Sequence, residues 1–182
     1  PSDEAVQETQ QPALELRRRP GASVAVATAL VQQGEADAVV SMGPTGATMV
    51  AAVQILGVME GIERPVLCGP FLGFAPHTIG VDMGTNIDSK PAQFLDFAAI
   101  GSVFCRECLG VTNPTVALLN VGTEEGKGNR QAKEVHALLT ESGLNFVGNI
   151  EAHDLIAGKA NVVLWDGFVG NILLKFCEGL GA

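Results

Sequence analysis

Short β-branched, apolar runs alternate with helix-length segments along most of the chain, and this alternation constrains the fold more than any other feature. The runs are "ADAVVSMG" (36–43), "RPVLCGPF" (64–71), "TIGVDMG" (78–84), "TVALLNVG" (115–122), "LNFVGNI" (144–150) and "NVVLWDG" (161–167). Strands covered on both faces by crossover helices read this way, because neither face meets water. Helices are expected over 22–34, 45–57, 91–109, 128–142 and 168–180. Within 128–142, Ala132, Val135, Leu138 and Leu139 share one side, while Lys133, Glu134 and Glu141 lie elsewhere. The alternation predicts an α/β fold, a mostly parallel sheet with helices on both faces.

A length of 182 residues, 47% of them hydrophobic, suits a single α/β domain with a substantial core over 1–182. Residues 1–19 are polar and run into "RRRPG", so they are expected to form a mobile or surface segment. The chain opens without a methionine and without a recognisable first strand, and closes at "CEGLGA". It reads as a piece of a longer protein.

Formal charge is 11 − 20 = −9, which opposes nucleic-acid binding, and no basic stripe interleaved with aromatics counters it. Basic residues gather locally at Arg17, Arg18 and Arg19 and at Lys127, Arg130 and Lys133. Each group reads either as a solvated face or as a docking point for an acidic partner. Four cysteines without a disulfide-like spacing favour a reducing, cytoplasmic setting. "CREC" (105–108) has no second CxxC and no histidine at ligand spacing, so its thiols read as structural and no metal site is expected. No apolar run reaches the roughly 18 residues that span a bilayer.

Ligands of open parallel sheets collect beyond the carboxyl ends of strands, where loops enter helices. Four such junctions are rich in glycine, amide and hydroxyl groups. "SMGPTGATM" (41–49) presents first-turn amides at Thr45, Gly46 and Ala47, suited to phosphate, although a tight turn capped by Thr45 explains the same letters. "VDMGTNIDSKP" (81–91) carries Asn86, Asp88 and Lys90 before Pro91, the residue placed to begin a helix. "LLNVGTEEGKGN" (118–129) places Asn120 at a strand end, Lys127 between Gly126 and Gly128, and Asn129 as a helix cap. "WDGFVGNILLK" (165–175) sets Asp166 at a strand end, followed by Gly167, Asn171 and Lys175.

GxGxxG is absent, "GTEEGKG" lacks the Walker spacing and a hydroxyl after its lysine, and GxSxG is absent. His77, His136 and His153 have no nucleophile nearby in sequence, and His136 reads as a surface or satisfied histidine. The residues by themselves support an anion-binding α/β domain that acts by positioning and electrostatics.

"DAVVSMGPTGATM", "VDMGTNIDSKP" with "GSVF", "LLNVGTEEGKGN", "NFVGNIEAHD" and "DGFVGNILLK" together resemble the bacterial phosphate acyltransferases of phospholipid synthesis, the PlsX family, in order and spacing. The resemblance runs from about residue 3 to residue 179 and covers the middle of the family protein, a little over half of it. It implies transfer of a fatty acyl group from acyl-acyl carrier protein to inorganic phosphate, without a cofactor, on a fold like that of isopropylmalate and isocitrate dehydrogenases and phosphotransacetylases. It also implies a homodimer, a downstream glycerol-3-phosphate acyltransferase, and peripheral membrane association through segments beyond this sequence. Two positions depart from the family pattern: Pro44 stands where asparagine is usual, and His153 stands where arginine is usual.

On this reading phosphate attacks the thioester directly, since no Ser, Cys or Asp is placed as an activated covalent nucleophile. Lys127 and Asn171 are the catalytic candidates. Thr45, Gly46, Asn86, Lys90, Asn120, Gly128, Asn129, Asp166 and Gly167 are the candidates for binding phosphate or substrate. A phosphotransacetylase acting on coenzyme A thioesters and a non-catalytic scaffold of lipid synthesis are the competing readings. A metal- and NAD-dependent β-decarboxylating dehydrogenase would need an aspartate pair one helical turn apart, and no D-x-x-x-D occurs.

Overall fold

The computed structural model describes residues 2–7, 11–70, 72, 73 and 75–181. Phe71, at the end of an expected strand, and residues 1 and 8–10 of the polar segment lie outside the described residues. The chain divides into two compact units, Pro1–Pro65 and Val66–Ala182, where a single domain is expected from sequence.

Helices α1 (Pro12–Arg18), α2 (Ser23–Gln32) and α3 (Thr45–Ala51) build the first unit, α3 continuing as a π-helical turn over Ala52–Leu56. Their shared core includes Leu16, Ala22, Val24, Ala25, Ala47 and Ala51. Part of the polar segment therefore forms a helix that joins this core. Pro12 starts α1 with its preset φ, Glu15 and the arginines match the helix dipole, and Leu16 is buried. Glu15 also holds Arg18 at 3.5 Å and Arg19 at 3.6 Å. The expected strand at 36–43 is absent, and Val40 and Met42 are 88% and 98% exposed. A strand needs a ladder partner, and no described residue pairs with this segment.

The second unit carries a five-stranded sheet in the order β1-β2-β5-β3-β4. Its strands are β1 (Cys68–Gly69), β2 (Ile79–Val81), β3 (Val116–Leu119), β4 (Phe146–Ile150) and β5 (Val162–Leu164). Neighbours pair in parallel except at the β1 edge, which is antiparallel to β2. The expected parallel strand at 64–71 shrinks to two residues there, because Pro65 and Pro70 supply no ladder donor. Helix α4 (Gln93–Leu109) and helix α5 (Arg130–Glu141) cover one face, and α6 (Ala152–Ile156) and α7 (Gly167–Gly181) cover the other.

Alternation along the strands sorts the two cores. Ile79, Val81, Val116, Leu118, Val162 and Leu164 pack toward α4 and α5, with Phe94, Phe97, Val135 and Leu139. Ala117, Val163 and Trp165 pack the other way, with Ile150, Leu155 and Leu173. Connections from β2 to β3 and from β3 to β4 thus run on one face, while β5 is followed by α7 on the opposite face. Between the carboxyl ends of β3 and β5 the direction of winding reverses, which is where open sheets hold ligands.

Candidate functional site

Asp82, directly after β2, organises the first wall of this crevice. Its side chain is fully buried and accepts five hydrogen bonds: from the amides of Leu67 (3.4 Å), Gly84 (3.2 Å) and Thr85 (3.0 Å) at Oδ1, and from the Asn86 amide (2.6 Å) and Asn86 Nδ2 (2.8 Å) at Oδ2. A buried carboxylate satisfied by backbone donors fixes loop geometry. The loop then turns through Asp88, whose φ of 57° is a conformation short polar residues tolerate.

That turn brings the Ser89 amide 2.8 Å from Asp166 Oδ2, while Asp166 Oδ1 accepts from the Phe168 amide at 2.9 Å. The Ser89 carbonyl accepts from Gln131 Nε2 at 2.6 Å. One carboxylate and one amide thereby tie the β2 loop to the first turns of both α7 and α5. Behind them, the Gly167 amide donates to Asn86 O at 3.0 Å, so close that a Cβ at Gly167 would strike the Asn86 backbone.

The second wall is the loop 120–129. Asn120 Nδ2 donates to Lys127 O at 3.1 Å and Asn120 Oδ1 accepts from the Val121 amide at 2.8 Å. Gly128 sits against that amide group at φ 89°, and a Cβ there would come within 2.5 Å of Asn120 Oδ1. Glycine is required at 128 for the loop to close on itself. Asn129 caps α5 as the sequence predicts, its Oδ1 accepting from the Ala132 amide at 2.8 Å. Asn149, at the end of β4, donates from Nδ2 to Glu124 O at 2.9 Å and braces the middle of the loop.

The structure separates the sequence candidates into two kinds. Asn86 is 5% exposed, and Asn86, Asn120, Asn129 and Asp166 all have side-chain hydrogen bonds within the scaffold. Lys127, Lys90 and Asn171 are exposed. Lys127 Nζ stands 3.9 Å from Glu124 Oε1, with the two side chains 52% and 70% exposed, a loose pair that an incoming anion can displace. Asn171, one turn into α7, lies against Gly84: a Cβ at Gly84 would approach its side chain to 3.0 Å. Thr45 and Gly46 open α3 in the first unit, behind Pro44 as the N-cap residue, with the Pro44 carbonyl accepting from the Ala47 amide at 3.0 Å.

Asp82, Ser89, Gln131 and Asn149 were not among the sequence candidates. Asp82 and Asn149 each interrupt an apolar run at a strand end, which is the signal that could have found them. Ser89 and Gln131 act through backbone and long-range contacts that leave no local signature. His153, at the second departure position, stands 3.1 Å from Asp154 Oδ1 and 3.5 Å from Glu151 Oε2. His136 packs its ring edge-on against Phe146, with centroids 5.1 Å apart. Among the described residues, no group of His, Cys, Asp and Glu could hold a metal, and no helix is long and apolar enough to cross a membrane.

A mostly parallel sheet covered on both faces, with glycine and amide loops meeting at its switch point, defines a three-layer α/β protein. The structure superposes on EutD phosphotransacetylase from Staphylococcus aureus with a TM-score of 0.61 at 20% identity, covering 92% of this chain and 58% of that one. It superposes on a branched-chain phosphotransacylase from Enterococcus faecalis V583 with a TM-score of 0.54 at 18% identity, covering 84% of this chain and 62% of that one. These likenesses establish the fold.

The chain belongs to the family described as fatty acid synthesis protein, whose model matches residues 1–182. It is 46% identical over 184 residues to a phosphate acyltransferase of Bacillus cereus (strain G9842), covering 98% of this chain and 54% of that protein. It is 45% identical over 181 residues to one of Syntrophomonas wolfei subsp. wolfei, covering 98% of this chain and 57% of that protein. The chain spans about half the length of the curated relatives it matches.

Proposed function

We propose that this chain carries the central part of an acyltransferase that moves a fatty acyl group from acyl-acyl carrier protein to inorganic phosphate, yielding acyl phosphate for phospholipid synthesis. The observation that carries the reading is the crevice at the switch point, flanked by the first turns of α5 and α7 and overhung by the loop bearing exposed Lys127.

Phosphate is anionic at neutral pH and needs no strong base. One of its oxygens attacks the thioester carbonyl carbon, the C=O electrons move onto oxygen, and their return expels the carrier thiolate. The barrier comes from bringing two anionic centres together and aligning them. Lys127 supplies the mobile positive charge and Asn171 an amide donor from the α7 side, with Lys90 supporting phosphate from the β2 loop. Asn86, Asn120, Asn129 and Asp166, with Gly128 and Gly167 allowing close approach, serve by holding these donors in place.

Acyl carrier protein is acidic, so despite the net charge of −9 it is received at Arg130 and Lys133 beside the loop. The full-length protein acts as a homodimer, peripheral to the inner face of the cell membrane, and passes its product to a glycerol-3-phosphate acyltransferase. Phosphate-dependent release of free carrier protein from palmitoyl-acyl carrier protein, with acyl phosphate trapped by hydroxylamine, tests the reaction. Equal turnover of the matched coenzyme A thioester would favour the phosphotransacetylase reading instead. Tight substrate binding without product would favour a scaffold.

A further inference from the structure

Inward from the crevice, the second unit contains a cavity of about 350 Å³ between β3, β5, α5 and α7, within the range of roughly 300–1,000 Å³ typical of small-ligand sites. Its deep wall is apolar: Phe94, Leu118, Val135 and Trp165 line it, and each is 3% exposed or less. Val169 of α7, 39% exposed, carries the wall toward solvent. The polar side chains that reach the cavity already hydrogen bond to backbone, Asn120 to Lys127 O and the Val121 amide, Asn129 to the Ala132 amide, Gln131 to Ser89 O, and Asp166 to the Ser89 and Phe168 amides.

A polar ligand would find few open donors or acceptors inside, and water would be poorly held for the same reason. An alkyl chain needs neither. Gly128 and Asn129, the two residues after Lys127, line the same cavity, so a carbonyl held at that loop has its substituent at the cavity.

We propose that this cavity seats the stretch of acyl chain next to the thioester, and that Val169 is a specificity-determining residue for chain length and branching. The proposal deepens the acyl-transfer reading above and rests on it. Apolar packing of the chain also excludes water from the carbonyl, favouring attack by phosphate over hydrolysis.

The test uses full-length protein with Val169→Trp and Val169→Ala, assayed for phosphate-dependent release from straight donors of four and sixteen carbons and from a methyl-branched donor. Binding of a dansyl-labelled undecanoic acid is measured on the same samples. Each methylene kept from burial costs roughly fourfold in affinity. Val169→Trp is therefore expected to lower kcat/KM for the long donor on the order of tenfold or more relative to the short one, and to weaken the probe. Val169→Ala, which cannot over-pack, is expected to raise the branched-to-straight ratio by roughly fourfold.

Uniform loss across donors, or no change in any ratio, with unmodified protein active, overturns the cavity assignment and leaves the acyl-transfer reading standing. If unmodified protein turns over no thioester yet loses the probe on Val169→Trp, the reaction fails while the cavity stands as an acyl site. No turnover together with probe binding indifferent to both variants overturns both.

Discussion

The backbone N–H of Ser89 donates to Asp166 Oδ2 at 2.8 Å, joining residues 77 positions apart. With the Phe168 amide on the other oxygen at 2.9 Å, this carboxylate fixes the β2 loop against the start of α7. Asp166→Ala leaves two amides without their acceptor, each costing about 1–3 kcal/mol where water cannot replace it. A loss of about 2 kcal/mol in urea unfolding is expected, with Asp166→Asn recovering part of it through its remaining oxygen. A change below about 0.5 kcal/mol, the range of ordinary surface substitutions, would show that the link does not support the fold.

Gly170 is buried on α7, and a Cβ there would overlap Asp82 O and Trp165 Nε1. Those two atoms hydrogen bond to each other at 2.8 Å. Gly170→Ala must therefore push α7 away or break that bond, although alanine is the better helix former by about 1 kcal/mol. Net destabilisation of roughly 1–3 kcal/mol is expected from over-packing, read as a lowered Tm, with quenching of the single Trp165 changed. An unchanged Tm would mean that the helix can shift freely.

Lys127→Ala removes a 52% exposed side chain whose ion partner is 3.9 Å away, so stability should hold within about 0.5 kcal/mol. Turnover in the phosphorolysis assay should fall on the order of 10²-fold, the scale of removing one oxyanion donor. Asn171→Ala is expected to behave likewise. Folded variants with near-normal kcat would remove both residues from the catalytic assignment.

Asp154 is buried at the capping box of α6, its Oδ1 2.5 Å from Lys159 Nζ and its Oδ2 accepting the Glu151 amide at 3.2 Å. The hydrogen bond from Lys159 is the main influence holding its carboxyl below the ordinary value of 3.8, outweighing the opposing effect of burial. A depressed folded pKa contributes stability above the unfolded pKa and loses it as pH falls through the folded one. Urea midpoints should therefore drop below about pH 4, and Lys159→Met should flatten that acid limb. Parallel acid limbs for the two proteins would refute the coupling.

Cys105 is fully buried on α4, and burial first, with Cys68 and Cys108 adding to it, pushes its thiol up to about 11. Cys108, three residues on, is exposed. Native iodoacetamide labelling near neutral pH should modify Cys108 well before Cys105, since the thiolate is the reactive form. Equal labelling rates by mass spectrometry would place Cys105 outside the core.

Elements whose signals are local were legible. The runs around Val116–Leu119 and Val162–Leu164 are apolar on both faces and became the central strands. Asn129, a residue type that accepts a first-turn amide, marked the start of α5. The run at 36–43 has the same composition but no described ladder partner, and Val40 and Met42 face solvent. Apolar letters alone do not create the hydrogen-bond partner that a strand requires.

Amino-acid order by itself determined the central strands β3, β4 and β5, the long helices α4, α5 and α7, and the junctions where amides, glycines and lysines gather, because period and capping act within a few residues. Tertiary structure decided which of those polar groups are drawn into the scaffold and which lie at the surface. Asn86 and Asp166 hydrogen bond to Asp82, Ser89 and Phe168, whereas Lys127, Lys90 and Asn171 stay exposed. It also placed Phe94, Leu118, Val135 and Trp165 around one cavity beside the lysine loop. Contacts between residues far apart in sequence set these outcomes, since a buried polar group must find a partner wherever the fold supplies one.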